Sequence, residues 1–326
     1  MRSVRCRLRY DLAPRYEAPG GSTPALVHVR RGSCLRLPTV GPVERLQPLV
    51  LAPHLAERVW GGHAFGPGIG EAWDLSVHPN GPCTVRGGRY GGATLAEVVD
   101  ADPDAFGGPI SLLAKRLDCE DYLSVQVHPA EGDPKTEAWV MLDAEPGAGV
   151  YHGFRHHLNP AEAKAAALDG SIMDLLAFRE VSSGDCVFVP AGTVHAIGGG
   201  LRLFELQQSS DTTFRLHDYG RGRELHLQEG LAVAELGPSE AGPIPAELAD
   251  GRRLVSCPHF HIDEVDGTTI AIDPGDRWKA LLVLSGSATT GGQTATAGTT
   301  LLVPSAAGRA HVHGPCRALR YGPGPT

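Results

Sequence analysis

The run Gly184-Asp-Cys-Val-Phe-Val-Pro-Ala-Gly-Thr-Val-His195 sets a strand, a turn and a histidine at fixed spacing, G-x5-P-x-G-x2-H. Proline removes a ladder donor and glycine supplies turn geometry, so the strand is predicted to stop near Val189 and His195 to stand just past a tight turn. Upstream, Gln126 and His128 lie two residues apart in Ser-Val-Gln-Val-His-Pro. Side chains alternate across a strand, so both project from one face and can reach one ion inside a barrel. Glu137, in Lys-Thr-Glu, completes a four-ligand set with His195.

The donor types narrow the chemistry. Two neutral imidazoles, one amide oxygen and one carboxylate leave a divalent cation with a local charge of about plus one, which suits an anionic or oxyanionic substrate. Histidine and carboxylate donors suit zinc, and the amide oxygen is also compatible with manganese, iron or cobalt. Zinc is the first assignment.

The glycine–proline run is that of the second half of a cupin metal site, and around it the chain resembles the type I phosphomannose isomerases in their short bacterial form. The resemblance rests on Trp60-Gly61-Gly62, Gly70-Glu71-Ala72-Trp73-Asp74-Leu75-Ser76, Leu112-Leu113-Ala114-Lys115, Ser124-Val125-Gln126-Val127-His128-Pro129, Lys135-Thr136-Glu137, the segment Pro190 to His195, and Gln207-Gln208-Ser209-Ser210-Asp211-Thr212-Thr213-Phe214-Arg215. These motifs cover most of residues 46–225 in the family's order, which is far more specific than any one of them. The resemblance implies metal ligation by Gln126, His128, Glu137 and His195. It also implies an active-site role for Arg215, proton transfer by Lys135, and interconversion of mannose 6-phosphate and fructose 6-phosphate through an enediolate. The loop between His128 and Glu137 is shorter than the family pattern.

Blander readings stand beside these. Most of the fifteen histidines must be ordinary surface or core residues. His311 and His313 have strand spacing but no glycine–proline partner motif, so no metal role is assigned to them. Glu71 and Asp74 line the pocket or serve structure, and Lys115 pairs with a carboxylate or faces a phosphate. The Asp211-Thr-Thr segment is expected to hold Arg215. A dioxygenase of similar fold would call for a His-x-His pair where this chain has Gln126-x-His128. An isomerase for another sugar phosphate and a non-catalytic sugar-binding protein are the alternative functions.

The formal net charge of −8 argues against a general nucleic-acid binder, which needs a basic face. Seven cysteines without a C-x-x-C pair imply no disulfide framework and suit a reducing cytoplasm. No apolar run has membrane-spanning length. The expected partner is a small sugar phosphate, with the chain a monomer or weak oligomer. Residues 1–36 differ in kind: eight arginines against Asp11 and Glu17 give +6 and leave −14 for the remainder. Residues 1–45 are read as a basic, disordered extension without assigned function.

Rich in glycine and proline and poor in long periodic helices, the chain is predicted to be all-β, as two cupin jelly-roll barrels. Strands are expected near Asp74 to Val77, Leu123 to Val127, Cys186 to Val189, Leu201 to Gln207 and Lys279 to Ser285. Helices are expected over Thr94 to Asp100 and Leu112 to Leu117. Asn159-Pro160 reads as a cap and first turn, opening a helical insert over about residues 159–180 that continues through Ile172 to Phe178. Residues 46–236 form the catalytic unit, 237–249 a linker, and 250–326 a second unit. There Gly298 to Pro304 again fits G-x5-P, but Arg309 stands where the first unit has His195. The second unit is read as a degenerate barrel without metal.

Overall fold

A computed structural model describes residues 46–239, 242 and 245–325; the predicted basic extension and part of the predicted linker lie outside the described residues. The described chain is mostly β, arranged in three antiparallel sheets. A six-stranded sheet runs Cys186–Val189, Glu137–Ala144, Leu201–Gln208, Leu112–Cys119, Ile69–Leu75, His54–Glu57. Opposite it lies a five-stranded sheet, Phe214–His217, Val125–Val127, His195–Ile197, Gly149–Phe154, Leu176–Glu180. The third sheet has nine strands and is built mainly from residues 246–323, but Leu49–Ala52 and Thr84–Val85 also belong to it.

Alternation along the six-stranded sheet separates two cores. Ala138, Val140, Leu142, Phe204 and Leu206 face one way and pack with Leu282, Leu319 and Tyr321 of the nine-stranded sheet. Trp139, Met141, Leu201 and Leu203 face the other way, into the space shared with Val150 and Ile197 of the five-stranded sheet. Val125, Val127, Ala196 and Leu216 face outward from that sheet and are covered by the helix Pro160–Asp169 and its neighbours. The candidate ligands therefore come from the inward rows of two facing sheets.

Leu112 to Leu117 is a strand, not a helix. Every residue of Leu112–Cys119 is buried between neighbours on both sides, so both faces are apolar or paired and the run carries no period of two to distinguish it from a buried helix. The cap at Asn159 is as predicted: its side-chain oxygen accepts from the Glu162 N–H at 2.9 Å. The second insert helix is only one turn, Ile172–Leu175, after which the chain becomes the edge strand Leu176–Glu180. The Trp60-Gly61-Gly62 motif has a steric cause. A side chain at Gly61 would meet the Gly70 backbone nitrogen at 2.5 Å, so two chain segments cross there at backbone distance.

A buried ion pair links the layers. Arg116 donates from Nε and Nη2 to the two Asp74 carboxylate oxygens at 2.7 and 2.8 Å, and Nη2 also donates to the Gly298 carbonyl of the nine-stranded sheet at 2.9 Å. Asp74→Ala should strand a buried guanidinium at a cost of about 3–5 kcal/mol, lowering Tm by about 10 °C, while Asp74→Leu with Arg116→Met should recover most of the loss. An unchanged Tm in the single variant would show that the pair contributes nothing.

Candidate metal centre

The glycine–proline run folds as its chemistry requires. Cys186–Val189 ends at Pro190, Gly192 adopts φ +90°, and the Thr193 N–H closes the turn on the Pro190 carbonyl at 3.1 Å. The Gly192 N–H donates to the His128 carbonyl at 2.8 Å, so this turn is tied to the strand that carries the upstream ligands. His195 is then paired in register with Gln126 on one side and His152 on the other. Glu137, at the start of its strand, is opposite Val189 and Gln207.

The side chains converge. His128, Glu137 and His195 each offer a ligand atom, all within 4.8 Å of one another, and all three residues are buried. His128 Nε2 lies 3.5 Å from Glu137 Oε2, and His195 Nε2 lies 3.3 Å from Glu137 Oε1. Each histidine uses Nδ1 elsewhere: His128 Nδ1 donates to the Thr212 carbonyl and His195 Nδ1 to the Thr193 carbonyl, both at 2.9 Å. A carbonyl only accepts, so these bonds place the ring protons on Nδ1 and leave both Nε2 lone pairs aimed at the centre, the tautomer a metal ligand needs. Burial pushes both imidazoles below their usual range, His128 furthest because the Lys135 charge adds to it, and both are neutral at pH 7.

Glu137 supplies the charge. Burial works to raise its carboxyl, but the Lys135 ammonium, then His128 and His195, outweigh that and hold it down at about 2. Lys135 Nζ makes an ion pair with Oε2 at 2.7 Å, yet neither carboxylate oxygen receives a well-directed hydrogen bond, leaving two buried acceptors open toward the centre. Gln126 completes the cluster with Nε2 donating to His195 Nε2 at 3.3 Å, and Oε1 accepting from Ser124 Oγ at 3.1 Å. Half a turn of this amide presents Oε1 instead. Two lone-pair nitrogens, one carboxylate and one amide oxygen are a donor set that fits a divalent cation.

Lys135 also donates to His128 Nε2 at 3.1 Å. Burial pulls its pKa down, but Glu137 and Glu205 more than compensate, and the net shift is upward. Its loop is fastened at several points: the Asp133 carboxylate accepts from Ser210 Oγ at 2.8 Å and Thr212 Oγ1 at 2.6 Å, and the Thr136 N–H donates to Gln208 Oε1 at 3.0 Å. The Asp211 to Thr213 segment thus positions His128 and the Lys135 loop rather than Arg215. Arg215 is opposite Gln126 in register, donates from Nη1 to the Glu224 carbonyl at 2.8 Å and has a buried Nε without a partner. Asp218 engages Arg221 and Arg223, and no carboxylate of the described residues lies within ion-pair distance of Arg215. This guanidinium keeps a buried donor unused.

Lys115 resolves toward carboxylates: its Nζ lies 3.7 Å from Glu205 and 3.9 Å from Glu71, beneath the centre. Glu71 also accepts from Trp73 Nε1 at 2.6 Å, and Glu205 from Trp139 Nε1 at 3.2 Å. Sequence reading missed Glu205 and His152, and quoted Gln207 in a motif without assigning it to the site. Gln207 is fully buried with Oε1 unpartnered, and His152, beside His195, is pushed down to about 4, by burial first and then because two adjacent imidazoles disfavour protonation of either. Gln207 stands at the head of a recognised motif without having been given a role, and Glu205 lies two residues before it.

Residues 66–148 match the family model for the phosphomannose isomerase type I catalytic domain. The mannose-6-phosphate isomerase of Streptococcus mutans is 37% identical over 246 residues, which is 66% of this chain and 78% of that relative. The chain belongs to the type I phosphomannose isomerases. A Bacillus subtilis relative, mannose-6-phosphate isomerase ManA, is 38% identical over 218 residues, 58% of this chain and 69% of its own length. The family likeness extends to three dimensions. The crystal structure of the mannose 6-phosphate isomerase from Bacillus subtilis superposes with a TM-score of 0.77 at 27% identity, covering 85% of this chain and 100% of that one. The matched region 66–148 contains Gln126, His128, Lys135 and Glu137, while His195 and Arg215 lie beyond it.

Proposed function

We propose that this chain interconverts mannose 6-phosphate and fructose 6-phosphate, with Gln126, His128, Glu137 and His195 holding one divalent metal, zinc by donor type. The observation that carries the reading is the pair of histidine Nε2 lone pairs facing the Glu137 carboxylate, with both ring protons fixed on backbone carbonyls. When bound, such a cation supplies the electrophile that polarises the oxygens on C1 and C2.

Aldose–ketose isomerisation moves a proton from C2 to C1 through an enediolate, so it needs a group that can accept and return one proton. Lys135 is the candidate: Nζ stands at the cluster in its ammonium form beside Glu137, so it first releases one proton to solvent, then as the neutral amine takes the proton from C2 and returns it to C1. Arg215 stays charged and cannot serve as the base, but its free donors can grip phosphate or stabilise developing oxyanion charge. The buried Trp139, 5.4 Å from the His195 ring, helps keep water from the floor of the site.

The six- and five-stranded sheets are best read as a metal-bearing cupin jelly roll with a helical insert near 159–180, and the nine-stranded sheet as a degenerate second one. In that reading 46–236 is the catalytic unit, 237–249 the connection and 250–326 the partner unit, with Leu49–Ala52 completing the partner's sheet. We take the chain to act as a monomer or weak oligomer in the cytoplasm. No helix of the described residues is long and apolar enough to cross a membrane.

A coupled assay comparing mannose 6-phosphate with other hexose phosphates tests the substrate; preference for another one would overturn it. Arg215→Ala should keep metal content and fold while turnover falls on the order of a hundredfold or more, the loss typical of one well-placed charge-stabilising donor. Wild-type turnover at unchanged metal content would remove Arg215 from the site.

A further inference from the structure

The nine-stranded sheet carries a second concentration of polar groups that shares no residue with the metal centre. Lys279, Leu281 and Val283 alternate along one strand, and Asp263 and Val265 along another; Leu281, Val283 and Val265 belong to the apolar core on that face. His261, Lys279, Arg320 and Asp263 therefore close one end of this core. They line a cleft of about 520 Å³ together with Arg253, Arg277 and Arg309. The position that in the first unit is His195 is here Arg309, at the edge of this cleft.

The charges do not balance. Five cations, Arg253, Arg277, Lys279, Arg309 and Arg320, face three lining carboxylates, Asp263, Asp273 and Asp276, and Asp250 at the margin pairs with Arg320 at 2.6 Å, which leaves a net +1 in a chain whose total is −8. Asp263 is engaged by Arg253 at 2.6 Å and Arg320 at 3.1 Å, and Asp273 by Arg309 at 2.6 Å. Arg277 donates to the Gly324 carbonyl, and Lys279 Nζ lies 3.4 Å from His261 Nε2; neither has a carboxylate within ion-pair distance among the described residues. His261 Nδ1 donates to the Pro323 carbonyl at 2.9 Å, so Nε2 is the acceptor for Lys279 and two ammonium protons remain. The backbone makes room for this arrangement. A side chain at Gly322 would meet Lys279 Cδ at 2.7 Å, so the lysine stem lies across a glycine to reach His261. Burial, then the Arg277 charge, pushes Lys279 down to about 8.

We infer that this cleft binds a phosphate-bearing anion, with Lys279 and Arg277 as its principal donors. Two free cations with several unused N–H groups match the oxygens of a phosphate, and the cleft exceeds what a bare ion fills and falls in the range of small-molecule sites, about 300–1,000 Å³. The second unit has then exchanged a metal site for an anion site at the end of its core.

Equilibrium dialysis of the full chain against labelled inorganic phosphate tests this. Arg215→Ala should leave one bound equivalent intact, and Lys279→Gln and Arg277→Met should each weaken that equivalent about tenfold or more while isomerase turnover, reporting an intact fold, is retained. Competition by glycerol 3-phosphate distinguishes the source. Displacement at tenfold lower concentration than unlabelled phosphate identifies a phosphomonoester ligand, and displacement at equal concentration identifies the free anion. Phosphate binding unchanged in both Lys279→Gln and Arg277→Met, or lost entirely in Arg215→Ala, would overturn the proposal.

Discussion

His195→Ala should yield a folded chain that retains almost no divalent metal and isomerises mannose 6-phosphate at background rate. His195 is fully buried, its Nε2 stands 3.3 Å from Glu137 Oε1, and its other nitrogen is fixed to the Thr193 carbonyl. Removing it leaves one imidazole, one carboxylate and one amide, a weak set for zinc. Changing outer partners of a metal ligand already lowers affinity about 10–100-fold, so losing the ligand itself should cost more. The strand pairing of His195 with Gln126 and His152 is backbone-made and survives the substitution. Elemental analysis and circular dichroism on the purified variant check both halves; wild-type metal content would show that the ion, if any, binds elsewhere.

Lys135→Met should bind metal and substrate but lose exchange of the substrate C2 hydrogen with solvent by about 10²–10⁴-fold, the usual contribution of a positioned acid–base group. The substitution preserves the buried stem and deletes the ammonium that faces Glu137 at 2.7 Å and His128 at 3.1 Å. Glu137 loses an opposite charge, and a bound cation would replace it, so metal affinity should hold or rise while the apoprotein is destabilised. Lys135→Arg keeps the charge without a titratable proton and should not restore exchange. Normal exchange in the arginine variant would make Lys135 a positioning residue for Glu137 and His128.

The site was legible where chemistry forces spacing. Gln126 and His128 had to share a face, and the glycine–proline turn had to deliver a histidine, because period two and a positive-φ turn are local properties. What sequence could not supply was the company these residues keep. Glu205 and Gln207 sit in an apolar-looking strand, Leu-Arg-Leu-Phe-Glu-Leu-Gln-Gln, and become polar partners of the centre only through register with Lys115 and Glu137. Leu112 to Leu117 read as helical because a strand buried on both faces, here Leu112–Cys119, has no alternation. Nor does any local signal show that Leu49–Ala52 crosses to pair with Thr300–Val303, some 250 residues later. His152 matters solely because two strands bring it beside His195.

The most direct measurement is turnover of mannose 6-phosphate as metal is returned to chelator-stripped protein. The account predicts no activity in the metal-free chain and a linear rise that levels off at one equivalent of a divalent cation. Full turnover in protein shown by elemental analysis to be free of metal would contradict it.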